Sequence, residues 1–227
     1  MKIIERYKAL LLPVIVVLAA ALPLFASPYT LTTFIRIIYF GLLSMSVGML
    51  IGQLGVVSMA QTAFFAMGAY FIGLVGFERN ILPFPWVDIL GVLFTALVAL
   101  LFGMVAMRVR DMVFMMITLA FGQVCWSLGT QNTSLLHGWL GIVGIRPYTI
   151  LGIDFTNQTY FYWACLIIFI VVTIVYRRIT NTTYGLALNG IKENSRRMEA
   201  MGYQVYWIKV VFFIIAAVVA SLGGIIM

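Results

Sequence analysis

The sequence predicts an all-α, polytopic membrane protein of about seven transmembrane helices in a single domain, with one sizeable inner loop. Three observations carry that reading. Apolar residues make up 63% of the 227-residue chain and charged residues only 9%, where soluble domains carry about 45–50% and about 25%. Mean hydropathy is +1.09. A water-soluble particle could not clothe its surface with so few charges, so lipid is the solvent for most side chains. The apolar residues also fall in runs close to the roughly 20 that a helix needs to cross hydrocarbon. The runs lack the alternation of barrel strands and the polar face of an interfacial helix. The net charge of +7 comes from basic residues set between those runs rather than along one face, which argues against a nucleic-acid partner.

Taken in order, the candidate spans fall at about 9–26, 31–52, 56–77, 86–106, 112–128, 159–176 and 207–227. Lys2, Arg6 and Lys8 precede the first, which ends Leu24-Phe25-Ala26-Ser27 and could be a secretory signal. Pro13 and Pro23 inside it, and the spans that follow, favour an uncleaved anchor. With the N-terminus inside, Lys2, Arg6, Lys8, Arg108, Arg110, Arg177, Arg178, Lys192, Arg196, Arg197 and Lys209 face the cytoplasm. Only Arg36, Arg79 and Arg146 are left near or on the outer side, as the bias of Lys and Arg toward cytoplasmic loops requires. The chain is therefore expected to be a multi-pass membrane protein with its N-terminus in the cytoplasm. It ends Gly223-Gly224-Ile225-Ile226-Met227 inside an apolar run, so further C-terminal helices are expected beyond it.

Two connections are long enough to have functions of their own. The outer one, about 129–158, is polar and turn-rich, with Gly129, Asn132, Ser134, His137, Gly138, Gly141, Gly144 and Pro147. The inner one, about 177–207, reads as two short helices. A Thr cap near Thr182 starts the first, with Leu188 and Ile191 on one face. Asn194 or Ser195 caps the second, Arg196 to Met201, which Gly202 ends in a left-handed stop. Met198 and Met201 are expected to share a face against something apolar. Leu and Met offered outside the bilayer suggest a protein partner on the cytoplasmic side; the alternative on composition alone is a loop that is basic merely to fix topology.

The order of residues in that loop sharpens the expectation. Gly185-Leu186-Ala187-Leu188, Ile191-Lys192-Glu193 and Glu199-Ala200-Met201-Gly202 resemble the coupling-loop motif of ABC importer permeases. More narrowly, the stretch resembles the branched-chain amino-acid permease family, where a Gly-x-Ala-Leu-x-Ala-Ile-Arg-Glu stretch precedes Glu-Ala-x-Gly. Gly52-Gln53-Leu54-Gly55 through Ser58-Met59-Ala60-Gln61-Thr62-Ala63-Phe64 to Gly68-Ala69-Tyr70 resembles a second motif of the same family. Weaker likeness runs through Ile117 to Phe121 and Gly138 to Gly144. Gln61 stands where the family usually has His, and Ala60 and Ala66 where it has Gly. Gln keeps a hydrogen-bonding group but cannot titrate near neutral pH.

The resemblance implies a permease subunit with no catalytic residues and no cofactor of its own. It implies two cytoplasmic ATP-binding subunits docked at Gly185, Glu193, Glu199, Ala200 and Gly202. A second homologous permease, a periplasmic or surface solute-binding protein and membrane lipid complete the expected partners. Urea or short-chain amide transport is the alternative within the family, and an ATP-independent channel or scaffold the alternative outside it.

Polar side chains within spans are costly and mark candidate pathways. Gln53, Ser58, Gln61, Thr62, Thr118 and Gln123 are the candidates here. None is ionised, so a proton relay is not supported, and a neutral lining suits a small zwitterionic or uncharged solute. The structural alternative has Ser and Thr bonding their own helix carbonyls and Gln tying helices together. It is the favoured reading for Ser58 and Thr118. Small residues recur every four positions at Ser44/Gly48/Gly52, Ser58/Thr62/Ala66 and Ala216/Ala220/Gly224, a spacing that lets helix backbones approach. His137 is the single histidine and has no Cys or second His beside it, so neither a metal site nor a triad is supported. Cys125 and Cys165 lie in apolar runs and read as packing thiols. No Gly-Lys pair occurs, so a Walker-type phosphate loop is lacking.

Overall fold

A computed structural model describes residues 19, 23, 27–78, 86–109, 111–142, 149–150, 153–154 and 157–227. The expected first span, 9–26, lies almost wholly outside them. Five described helices are long and apolar enough to cross a membrane, and a sixth, Gln61–Gly76, is shorter. The all-helical expectation is met. The one departure is a hairpin of two-residue strands, β1 (Thr149–Ile150) and β2 (Ile153–Asp154), within the outer connection.

Helix α1 (Pro28–Met49) starts with Pro at its first position, where a missing N–H costs nothing. Leu31, Ile35, Ile38, Leu42, Ser46 and Met49 are buried, while Ile37 and Phe40 are exposed. That is one inward stripe at helical spacing with an apolar back, the pattern of a helix facing lipid. It runs into a π-helical turn, Leu50–Leu54, and stops at Gly55, whose φ of +71° favours glycine.

The expected span 56–77 is corrected at its start. Residues 55–58 are not helical, and helix α2 (Gln61–Phe71) begins only after a turn at Met59 and Ala60, continuing as a π-helical stretch, Ile72–Glu78. Helices α3 (Trp86–Ala106) and α4 (Asp111–Gln131) follow. A single turn, α5 (Thr133–Leu136), and a 3-10 turn, Gly138–Leu140, occupy part of the outer connection. Helix α6 (Gln158–Thr180) leads into α7 (Thr183–Ala200), which fills most of the inner loop, and α8 (Val205–Ile226) ends the chain.

Helix α8 is the hub, packed against α1, α2 and α3. Val210, Phe212, Phe213, Ala216, Ala217 and Ala220 are fully buried. Phe213 meets the rings of Phe64, Phe102 and Phe114 at centroid distances of 5.6, 6.1 and 6.3 Å. The Ala216/Ala220/Gly224 ridge works as small residues should. A Cβ on Gly224 would run into the Phe65 carbonyl, and one on Gly68 would come 2.5 Å from the Ser221 carbonyl. The other two expected ridges are corrected. Ser44 and Gly48 are exposed on the back of α1 and Gly52 is exposed in the π-helical turn, and a Cβ on Gly48 would meet nothing within 4 Å. Ser58 is not in a helix, so Ser58/Thr62/Ala66 forms no continuous ridge.

Candidate functional site

The break between α1 and α2 sits inside the bundle. Gln61, the first residue of α2, is fully buried beside Ser46 and the carbonyl of Ala216. Ser46 is eight residues short of Leu54 and Ala216 eleven past Val205, so at 1.5 Å per residue the start of α2 is roughly 12–17 Å in from that end. Residues 55–59 climb that depth outside any helix. Backbone of this kind is tolerated at membrane depth where protein covers it and supplies partners.

The partners are identifiable. The hydroxyl of Ser58 accepts from Ala60 N–H at 3.3 Å. Thr118 Oγ1 on α4 accepts from Met59 N–H at 3.2 Å and donates to its own helix at the Met115 carbonyl, 2.9 Å. Thr62 donates to the Met59 carbonyl at 3.1 Å. Thr118 therefore bonds its own helix, as the structural alternative held, and also ties α4 to the break.

Gln61 is the strained member. Ser46 Oγ stands 2.7 Å from Gln61 Oε1 and 2.8 Å from the Ala216 carbonyl. One hydroxyl proton is shared between those two acceptors, and Gln61 Nε2 is buried without a hydrogen-bond partner. Turning the amide over would let Nε2 donate to Ser46 Oγ, freeing the hydroxyl proton for Ala216, but would leave the amide oxygen unmatched instead. Either way one buried polar atom goes unpaired, at a cost of about 1–3 kcal/mol. Gln53, half-buried in the π-helical turn, likewise has a buried Oε1 without a partner.

The expected pathway residues divide accordingly. Ser58, Gln61 and Thr118 converge on the break and are buried, and Gln53 lies at its near end. Thr62 is exposed and lines a cavity of about 480 Å³ between α2 and α4 that runs past Met67 and Tyr70 to Trp126 and Leu136. Its walls are almost wholly apolar, with Phe94, Val75 and Cys125 among them. Gln123 is exposed and lines neither this cavity nor the break.

At the near end, α6 passes into α7 through a turn so close that a Cβ on Gly185 would strike the Thr180 carbonyl. Thr182 has the extended backbone of a cap, but its hydroxyl donates back to the Ile179 carbonyl at 2.7 Å and caps nothing ahead, which corrects the expected Thr cap. Leu188 and Ile191 are buried as their spacing required. Helix α7 kinks at Asn194 (φ −157°, ψ 94°), whose Oδ1 accepts from Arg197 N–H at 3.0 Å and so caps a second short helix.

That helix ends in a Schellman arrangement. Gly202 at φ +88° donates to the Glu199 carbonyl and Tyr203 donates to the Met198 carbonyl. Met198 folds back onto Gly190. Met201 is corrected: it is 67% exposed, not packed beside Met198. Glu193, Glu199, Ala200 and Gly202 are exposed too, whereas Gly185 is buried at the opposite end of α7. Glu193 and Glu199 line, together with Arg108 and Arg196, a polar cavity of about 560 Å³.

Sequence reasoning missed Lys192 as more than a topology charge. Its Nζ donates to the Gly52 carbonyl at 2.9 Å, and its stem lies on Gly55. Ser46 was missed as well, although its serine inside an apolar run was a visible signal.

The family described as branched-chain amino acid transport system / permease component matches residues 29–227. The high-affinity branched-chain amino acid transport system permease protein LivM of Escherichia coli (strain K12) is 23% identical over 238 residues, covering 95% of this chain. The LivM of Salmonella typhimurium (strain LT2) is 22% identical over the same length. The chain spans 56% of the length of each of these relatives. No solved structure matches it significantly. A family match that takes in both the broken segment and the kinked loop helix leaves one conclusion: the chain belongs to the branched-chain amino acid transport permease family.

Proposed function

We propose that the chain is the membrane subunit of an ATP-driven importer of branched-chain, aliphatic amino acids in the inner membrane of a prokaryote, with its N-terminus and α7 in the cytoplasm. The observation that carries this is the capped, solvent-presented turn from Asn194 to Gly202. Two local motifs hold its backbone, yet Glu199, Ala200 and Met201 touch little of the chain itself. Such a rigid, exposed knob suits docking to a cytoplasmic ATP-binding subunit. The gathering of Arg108, Arg196 and Lys209 around the same cavity supports a cytoplasmic placement of this end.

In this reading a solute-binding protein delivers substrate at the far end, and a second homologous permease completes the pathway. The two ATP-binding subunits close together on ATP and shift α7 as a body. The break at 55–60 is the natural place for that shift to act, because it lacks the helical ladder that stiffens its neighbours. The apolar cavity beside α2 accepts a branched aliphatic side chain. The neutral polar groups around the break offer brief hydrogen bonds to an α-amino acid's charged ends.

An ATP-binding subunit is expected to co-purify with the chain and to be lost in Gly202→Pro or Glu199→Lys. Uptake of labelled leucine, set against labelled urea in cells with and without the gene, tests the substrate. Urea uptake without leucine uptake would replace the amino-acid reading by the amide one.

A further inference from the structure

We propose that Lys192 is the positioning residue that carries movement of the docking turn into the broken segment. The inference rests on the ATPase-docking reading above. Lys192 lies two residues before the kink at Asn194, on the last turn of α7 still anchored to the bundle. Leu188 and Ile191 bury that turn, and Tyr184 Oη donates to the Ile208 carbonyl at 2.8 Å. Beyond the kink Met198 folds back onto Gly190, while Arg196, Arg197 and residues 199–204 are exposed. Lys192 therefore sits where the held part of α7 meets the part a partner can grip.

Its side chain reaches the start of the broken segment in two ways. The ammonium donates to the Gly52 carbonyl at 2.9 Å. Gly52 lies in the last turn before the break, where carbonyls have no helical partner and the helix dipole is negative. A cation placed there caps the helix. The aliphatic stem meanwhile lies along Gly55: a Cβ at that position would come 3.0 Å from Lys192 Cγ and 3.5 Å from Cε. Gly55 also holds φ +71°, so the contact falls on the residue that starts the break.

From Gly55 the chain passes within a few residues to Met59, bonded to Thr118 on α4, and to Gln61, bonded to Ser46 on α1. Displacing the docking turn pulls on Gly52 and Gly55 through Lys192, and the break transmits the pull to α1, α4 and α8 together. A lysine that merely fixed topology would need neither contact.

The test compares unaltered permease, Lys192→Met, Lys192→Arg and Gly55→Ala, each reconstituted in liposomes with its partner permease, ATP-binding subunits and binding protein. ATP hydrolysis and labelled-leucine uptake are measured in the same vesicles. Lys192→Met keeps the stem and loses the charge, so it is expected to assemble and hydrolyse ATP while leucine moved per ATP falls at least about fivefold, the scale of a coupling term. Lys192→Arg is expected to restore most of the ratio. Gly55→Ala, which crowds the stem and leaves the charge, is expected to lower it. An unchanged ratio in Lys192→Met overturns the relay, as does loss of the ATP-binding subunits from that variant, which would make Lys192 a docking residue. Absence of ATP-driven uptake in the unaltered complex overturns the transport reading itself.

Discussion

The contact between α2 and α8 is close enough to give a sharp stability test at Gly68. A Cβ there would stand 2.5 Å from the Ser221 carbonyl oxygen and 2.8 Å from its hydroxyl, nearer than the 3.0 Å within which real Cβ atoms essentially never sit. The carbonyl belongs to the backbone of the central helix and cannot rotate away. Gly68→Ala therefore has to part the helices by about half an ångström, which forfeits about a quarter of the dispersion well for each atom pair along the contact. Overpacking of this kind costs typically 1–3 kcal/mol, or roughly 5- to 150-fold in the folded-to-unfolded ratio. Gly48→Ala is the control, since a Cβ there meets nothing within 4 Å. It is expected to be neutral or to stabilise by up to about 1 kcal/mol through helix propensity. Reversible unfolding in mixed dodecyl maltoside and SDS micelles, followed by circular dichroism, measures both. Equal stabilities for the two variants would refute the packing argument.

The buried amide at the break makes an asymmetric prediction. Ser46→Ala removes the hydroxyl that donates to Gln61 Oε1 and should cost about 1–3 kcal/mol, whereas Gln61→Leu removes the unmatched group with it and should leave stability near that of the unaltered chain while impairing uptake; the same micelle titration and a leucine uptake assay read both. Thr118→Val keeps the shape of the side chain but strips Met59 N–H of its acceptor, so stability should fall by about 1–3 kcal/mol, and a loss below about 0.5 kcal/mol would contradict the tie. Burial raises the Tyr184 hydroxyl from 10.0 to about 12. Its folded state thus favours the neutral phenol, a contribution that is complete below pH 10 and disappears as pH rises through about 12. The stability gap between the unaltered chain and Tyr184→Phe should stay constant below pH 10 and close above it, as thermal unfolding across pH would record.

The spans were legible because the signal is local and redundant. In a run such as Trp86–Ala106 only Asp88, in the first turn, is charged, and burial in lipid requires such a run to be helical. Asn194 and Gly202 were legible for a related reason, since capping and left-handed stops depend on residues a few positions away. The break was not, because Val56, Val57, Met59 and Ala60 read as continuing helix, and only Gly55 hinted otherwise. Identical small-residue spacing gave two fates: Ala216, Ala220 and Gly224 face α2, while Ser44, Gly48 and Gly52 face outward. Which ridge packs depends on where the hub helix lies, a long-range fact. The same holds for the candidate site, where Ser46 meets Ala216 across 170 positions and Lys192 meets Gly52 across 140.

On the proposed reading, nucleotide hydrolysis gripped at Glu199 to Gly202 drives an aliphatic amino acid through this chain. Labelled-leucine uptake into liposomes holding the complete complex, with ATP or a non-hydrolysable analogue inside the compartment facing α7, tests it most directly. Accumulation against a gradient only with ATP, abolished by Glu199→Lys, is the predicted result. Leucine that equilibrates at the same rate with the analogue, or with no nucleotide, would contradict it.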